Sequence, residues 1–286
     1  MRIWGIKKII VHNHVSAASP YLPSDERGIK RFLKIYLNNS KFFSVDAVYV
    51  CSNFVKNILL RKACCPEEKI EVILHGIDIE KFSCPEVANH KEEHIITILC
   101  VARATRFKGI HVLIEAVRLL REEHRQSGFR VRYVGDGPDM KEFKDLVSRY
   151  HLHDCFFFIG ALPETQEEIC QADIVVAPSC WGDALPLSVI EAMAGKKPVI
   201  ATEVGGIPEE IGIDSECGIL IPPNNEKVLA LELAKLIENS ERQKILGENA
   251  RKRAEMLFAE DRFHSNVLFN LLRDTGINSD ASFKES

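Results

Sequence analysis

Short runs of β-branched and aliphatic residues alternate along this chain with longer stretches of helical period, and that alternation leaves few folds open. Residues 8–11, 47–51, 69–74, 95–102, 130–134, 155–159, 174–177 and 198–201 read as strands. Helical spacing fills the gaps at 28–43, 53–64, 109–123, 139–149, 164–170, 185–194 and 227–238. Such βαβ order demands parallel sheets, because each crossover lays its helix back on the sheet and covers a face. The expected class is therefore α/β, as two doubly wound lobes. Only three strands fit before residue 75, whereas a doubly wound lobe usually carries five or six. The first lobe thus reads as incomplete, as if its opening strands were missing. Residues 75–93 hold Gly, Pro, Asn and mixed charge without a strong period, and read as the linker.

Composition agrees with a globular chain: 286 residues allow about two domains, with 46% hydrophobic and 27% charged residues. The absence of an apolar run of 18 residues argues against a transmembrane helix. Residues 1–8 lack a small-residue cleavage site and do not read as a signal peptide. A net charge of −4 is too balanced for a general nucleic-acid binder, although residues 1–90 carry 13 basic and 9 acidic residues and leave the remainder at −8. Nine cysteines are scattered, with no Cys-x-x-Cys pair, and read as reduced thiols in a cytosolic protein.

Chemistry concentrates after the strand at 174–177, in Pro178-Ser179-Cys180-Trp181-Gly182-Asp183-Ala184-Leu185-Pro186-Leu187-Ser188-Val189-Ile190-Glu191. This window lies at a carboxyl edge, where open α/β sheets bind ligands. A helix begins near Leu185, with Pro186 in its first turn, where a missing N–H costs little. The amides of Leu185, Leu187 and Ser188 are then unpaired donors at a positive helix end, suited to a diphosphate. Glu191, one turn on, suits a ribose diol, and Asp183 in the loop suits a sugar hydroxyl. The competing reading is an ordinary strand-loop-helix with two solvated acids.

Upstream, Arg103 and Lys108 flank a loop that follows the strand at 95–102, placed to clamp a diphosphate leaving group. Solvated basic loop residues are the plainer alternative. Gly135, in Val134-Gly135-Asp136-Gly137-Pro138, permits close backbone approach and is equally a structural turn. Thr202-Glu203-Val204-Gly205-Gly206-Ile207-Pro208-Glu209-Glu210 reads as a flexible loop walling the same cleft.

Taken in this order, residues 49–263 resemble retaining glycosyltransferases of GT-B architecture, most nearly family 4. The resemblance rests on Val50-Cys51-Ser52-Asn53, Ile73-Leu74-His75-Gly76-Ile77-Asp78, Val101-Ala102-Arg103 with Lys108-Gly109, and the acid-x₇-acid motif from Asp183 to Glu191 with Ala192-Met193-Ala194 after it. It implies two Rossmann-like lobes of the GT-B class, the first incomplete. Residues 1–88 form the acceptor-side lobe and linker, 89–258 the nucleotide-sugar lobe, and 259–286 a terminal helix crossing back to the first lobe, followed by a frayed tail. For that helix, Phe263, Val267, Leu268, Leu271 and Leu272 supply the buried face.

The resemblance also implies roles. Arg103 and Lys108 bind the donor's phosphates, with the amides of Leu185 and Leu187 and the Gly135 turn beside them. Glu191 binds the ribose, and Asp183 sits near the donor sugar. The implied reaction moves a sugar from a nucleotide diphosphate sugar to a hydroxyl of a saccharide or lipid-linked acceptor, with retention. It needs no cofactor and no metal, because the cations and the helix end neutralise the leaving group. Three departures stand out: Asp183 where glutamate is usual, Ala102 where glycine is usual and His75 where asparagine is usual.

In Val11-His12-Asn13-His14, His14 fits the end of the first strand better, with His12 as the alternative, as a histidine that faces the cleft and hydrogen-bonds a sugar hydroxyl or shares a proton with the acceptor. A bland loop histidine and a two-histidine metal pair are the alternatives. The helix at 28–43 has one apolar face (Ile29, Phe32, Leu33, Tyr36, Leu37) and one basic face (Lys30, Arg31, Lys34, Lys41). It reads either as a cover for its own sheet or as a peripheral contact with an anionic membrane. The expected location is cytoplasmic, extending to the inner membrane face. Two rival functions stay open: a truncated, non-catalytic nucleotide-sugar-binding subunit, and a GT-B nucleotide-sugar epimerase.

Overall fold

A computed structural model describes residues 9–13, 45–61, 65–85, 95–126, 128–213 and 216–275. These divide into two compact units, residues 1–76 with 260–286, and residues 77–259. His14 and the amphipathic segment 28–43 lie outside the described residues. No helix among the described residues is long and apolar enough to cross a membrane.

In the first unit, β1 (Ile10–Asn13), β2 (Ala47–Val50) and β3 (Ile70–Val72) form a parallel sheet in that order, with α1 (Asn53–Arg61) between β2 and β3. The terminal helix α9 (Glu260–Thr275) packs Phe263, Val267 and Leu271 against a core of Ala47, Tyr49 and Ile73. Of the five apolar residues expected on its inner face, Leu268 turns outward at 48% exposure. Tyr49 also donates to Asp274 of this helix at 3.0 Å. The first strand runs two residues further than its apolar run suggests, so His12 lies inside it, paired with Tyr49. The His12 ring packs edge-on to Tyr49 and stacks beside Phe263, with centroids 6.1 and 6.2 Å away.

The second unit is a six-stranded parallel sheet: β4 (Ile96–Val101), β5 (Phe129–Val134), β6 (Phe156–Gly160), β7 (Ile174–Ala177), β8 (Val199–Thr202) and β9 (Ile219–Ile221). Its spatial order is β6-β5-β4-β7-β8-β9. The chain winds outward from β4 to β6, then returns to the other side of β4 and winds outward again. That reversal is the doubly wound order, with its switch point between β4 and β7.

Helices α2 (Ile110–Glu122), α3 (Met140–Arg149), α4 (Gln166–Gln171), α5 (Leu187–Ala194), α6 (Ile207–Ile211), α7 (Glu226–Ile237) and α8 (Ser240–Phe258) complete the unit. Burial on both faces explains why β4, β7 and β8 are near-continuous apolar runs, whereas β5 alternates Arg130 and Arg132 with buried residues. Ile98, Leu99 and Cys100 are fully buried, as are Leu113 and Val117 of α2 and Val131 and Tyr133 of β5.

Three features depart from the sequence reading. Residues 202–210 are not simply a flexible loop, because Ile207–Ile211 forms a short helix with Pro208 in its first turn. Strand β9 and the 19-residue helix α8 were not anticipated. A three-residue strand is too short to show a period, and the apolar stripe of α8 is thin and interrupted by charge. The thiols are not all reduced: Cys84 and Cys170 form a disulfide, with Cα atoms 5.1 Å apart and a sequence separation of 86. Sequence separation hid this pair, since only folding brings α4 to residues 77–85.

Residues 77–85 belong to the second unit rather than serving as free linker. Ile79 and Phe82 are buried. Arg251 of α8, 8% exposed, holds this segment through the Ile79 carbonyl, Ser83 and Glu80, and also donates to the Ala194 carbonyl at the end of α5.

Candidate functional site

Strand order decides where a ligand can go. The loops leaving β4 and β7 diverge at the switch point and open a crevice at the carboxyl edge. The β4 loop is 102–109 and the β7 loop is 178–186. They are tied together by the Cys180 N–H, which donates to the Phe107 carbonyl at 2.9 Å. Side chains 75 residues apart in sequence therefore meet: the Lys108 ammonium pairs with a carboxylate oxygen of Asp183, both mostly buried. Ser179 donates to the same oxygen at 3.1 Å, and Thr202 of β8 donates to the Ser179 carbonyl at 2.7 Å.

The backbone of Asp183 is held from the other side. The Gly206 N–H donates to its carbonyl at 2.7 Å, and Gly205, at φ +65°, packs so closely that an added Cβ would stand 1.9 Å from that oxygen. A β-carbon fits neither the left-handed backbone nor the space. The segment expected as a cleft wall is thus the support under Asp183.

Gly135 has an equally local reason. At φ +145°, a Cβ there would lie 1.9 Å from the Ala102 carbonyl. Its close backbone approach is to the neighbouring strand end, where it shapes the base of Arg103. Arg103 is exposed, and its side chain makes no hydrogen bond or ion pair among the described residues. It is a free cation beside the Lys108–Asp183 pair's loop.

Helix α5 begins at Leu187 with Pro186 as its N-cap, two residues later than expected. Pro186 adopts an extended backbone at φ −71° and ψ 113°, so it ends the loop and its side chain offers no cap. The Val189 N–H bonds the Pro186 carbonyl, whereas those of Leu187 and Ser188 precede any helical acceptor. Leu185 is buried and Leu187 is 45% exposed. The helix end is uncapped by any side chain and opens on the same crevice edge.

Glu191, on the second turn of α5, accepts from Thr165 at 2.9 Å. Burial pushes its carboxyl above the ordinary range, while the Thr165 hydroxyl and, more weakly, Lys81 pull the other way. Thr165 was missed by sequence reasoning. Its spacing to Glu168 resembles a capping box, yet its side chain makes no cap and is free to serve Glu191. Glu168 instead takes a two-pronged pair from Arg132 of β5 at 2.7 and 2.6 Å, which anchors α4 under the sheet edge.

The structure therefore joins Lys108 and Asp183 directly, sets Arg103 at the end of the same strand, and places Glu191 against Thr165. His12 sits within the first unit's sheet, and His14 falls outside the described residues. Among the described residues no group of three or more His, Cys, Asp or Glu is arranged to hold a metal.

Comparison with known proteins follows the same division. Residues 85–253 match the model described as "Glycosyl transferases group 1", and residues 1–81 match that of "Glycosyltransferase Family 4". The chain is 37% identical over 182 residues to the putative colanic acid biosynthesis glycosyltransferase WcaL of Escherichia coli, covering 61% of this chain and 44% of that protein. It is 30% identical over 251 residues to an uncharacterized glycosyltransferase, MJ1069, of Methanocaldococcus jannaschii, covering 86% and 63%. The chain thus spans less than half the length of its colanic acid relative.

Among solved structures, Anabaena Alr3699/HepE in complex with UDP and glucose has a TM-score of 0.76 at 20% identity, covering 92% of this chain and 71% of that one. A glycosyltransferase from Rickettsia africae has a TM-score of 0.78 at 24% identity, covering 97% and 79%. These likenesses establish the α/β fold with two Rossmann-like units, the GT-B class. With the family model matched across 85–253, the chain belongs to the glycosyl transferases group 1 family.

Proposed function

We propose that the protein is a retaining glycosyltransferase whose second unit binds a nucleotide diphosphate sugar without a metal. The observation that carries this reading is the Lys108–Asp183 pair at the switch point, beside the uncapped start of α5. Lys108 is a cation held ready by an acid, and an incoming diphosphate offers it a more highly charged partner. Arg103 and the amides of Leu185, Leu187 and Ser188 supply further donors for phosphate oxygens. Glu191, kept in place by Thr165, accepts from the ribose hydroxyls. Once Lys108 turns to phosphate, Asp183 is free to accept from a hydroxyl of the donor sugar.

In the reaction, the bond from the anomeric carbon to the β-phosphate oxygen breaks and a bond to an acceptor hydroxyl oxygen forms on the same face. The acceptor proton leaves with the departing diphosphate. Negative charge grows on the leaving diphosphate, so cations and amides aimed at it stabilise the transition state more than the ground state. The acceptor we propose is a saccharide or a lipid-linked saccharide; the names of two relatives, one for colanic acid biosynthesis and another, from Erwinia amylovora, for amylovoran biosynthesis, support the saccharide part of that reading. The HepE structure, holding UDP and glucose, supports a uridine nucleotide as the first probe.

Titration calorimetry of the whole folded chain with UDP tests the donor site, and absence of heat overturns it. Radiolabelled UDP-sugar turnover with and without saccharide and lipid-linked acceptors tests the transfer. Acceptor-dependent incorporation is expected. Free nucleotide released without acceptor points to an epimerase, and binding without turnover to a non-catalytic subunit.

A further inference from the structure

Directly behind the donor site lies an acid that the reading above leaves unused. Glu210, in α6, is fully buried, and both of its carboxylate oxygens lack a hydrogen-bond partner among the described residues. An ionised carboxylate without a donor is among the costliest groups a fold can bury. The charged groups that act on it are Asp183 from the β7 loop, Lys108 from the β4 loop and Glu209 on its own helix. Arg253 of α8 comes near, but its guanidinium donates to the carbonyl oxygens of Glu209 and Glu210, at 2.9 and 2.5 Å, and not to the Glu210 carboxyl. Helix α5, packed on α6, carries a single charged residue, Glu191, which is bonded to Thr165. Strand β9, also against α6, carries none.

The connection to the site runs through the backbone as well. The Glu210 N–H donates to the Gly206 carbonyl at 3.2 Å, and the Gly206 N–H donates to the Asp183 carbonyl at 2.7 Å. The helix turn that buries Glu210 is therefore the continuation of the loop that holds Asp183. Burial drives the Glu210 carboxyl well above the ordinary range, and the negative charge of Asp183 adds to the shift against a smaller opposing pull from Lys108.

We propose that Glu210 is a positioning residue that stays protonated while the site accepts a diphosphate, and that its ionisation at alkaline pH weakens nucleoside diphosphate binding. The inference rests on the donor-site reading. Lys108 must share itself between Asp183 and phosphate. A neutral Glu210 leaves one carboxylate competing for the ammonium, whereas an ionised one adds a second negative charge that retains Lys108 and repels the ligand. In a water-poor interior both effects are larger than at the surface.

The test is calorimetry of UDP binding to the full chain between pH 6.5 and 9.5, comparing wild type with Glu210→Gln, and with Glu210→Leu should the first variant fail to fold. The wild-type Kd is expected to rise at least about threefold across this range, and that of the neutral variant to change less than about 1.5-fold. Titration of the nucleotide itself is common to both proteins and cancels in the comparison. An equal alkaline loss in both overturns the proposal and leaves the donor site standing.

Thermal unfolding without nucleotide is the second readout. A carboxyl whose folded pKa is raised stabilises the fold in its protonated form, and this contribution is lost as pH rises from the ordinary carboxylate range toward the raised value. The melting point of Glu210→Gln relative to wild type should therefore climb with pH above about 5. A flat difference overturns the proposal even where UDP binds. A climbing difference with no UDP binding at any pH overturns the donor-site reading instead, and this role with it.

Discussion

The ammonium of Lys108, at the end of the β4 loop, is paired with the carboxylate of Asp183 in the β7 loop, so one acid occupies the cation that a diphosphate would take. The pair is a resting state as much as a contact. It keeps Lys108 extended into the crevice, and it keeps Asp183 from standing unpaired against a buried wall of Ser179 and Thr202.

Lys108→Ala is expected to weaken UDP binding by about 1.5–3 kcal/mol, the worth of a charge-assisted contact. Titration calorimetry reads the change. An unaltered Kd would show that the phosphates lie elsewhere.

Glu191→Ala is expected to cost about 1 kcal/mol of affinity for UDP and almost nothing for its 2′,3′-dideoxy counterpart, because the lost interaction is with the ribose hydroxyls. The four affinities form a double-mutant cycle, and a coupling near zero would remove Glu191 from the ribose. Thr165→Val should raise the Glu191 pKa further, since the hydroxyl favours the ionised form. The rise of UDP affinity with pH should then move to higher pH in that variant than in wild type, because the ionised carboxylate is the stronger acceptor for the ribose hydroxyls.

Gly205→Ala puts a methyl group at the Asp183 carbonyl and a side chain on a left-handed backbone. A loss of about 2 kcal/mol or more in unfolding free energy is expected, together with weaker UDP binding as Asp183 shifts. Denaturant unfolding with parallel calorimetry checks both.

Cys170→Ser opens a loop whose ends are 86 residues apart. Chain entropy alone assigns the crosslink about 4.6 kcal/mol. Wild type in dithiothreitol should unfold at the same denaturant concentration as the variant. Indifference of the wild type to reductant would mean that the bond does not persist in solution.

Much of the second unit is legible in the chain because its determinants are local. Strands β4, β7 and β8 announce themselves as near-continuous apolar runs, since a parallel strand buried on both faces has little polar side to interrupt it, whereas β5 alternates Arg130 and Arg132 with Phe129, Val131 and Tyr133. Lys108, Asp183 and Glu191 stand out because strand-loop-helix boundaries confine chemistry to carboxyl edges. The elements that escaped are those whose pattern is weak by physical necessity. Strand β9 has three residues, and α8 buries only a narrow stripe that includes the charged Arg251.

What the chain alone determines, then, is the class of fold and the set of residues near the sheet's carboxyl edge, because hydrophobic period and turn chemistry act over a few residues. Tertiary structure alone decides the partners. That Lys108 reaches Asp183, that Thr165 serves Glu191 rather than capping its own helix, that Cys84 meets Cys170 and that Glu210 is sealed behind the site all depend on strand order. Strand order is set by which packing of whole helices and sheets buries the most apolar surface, and no local run of sequence encodes that sum.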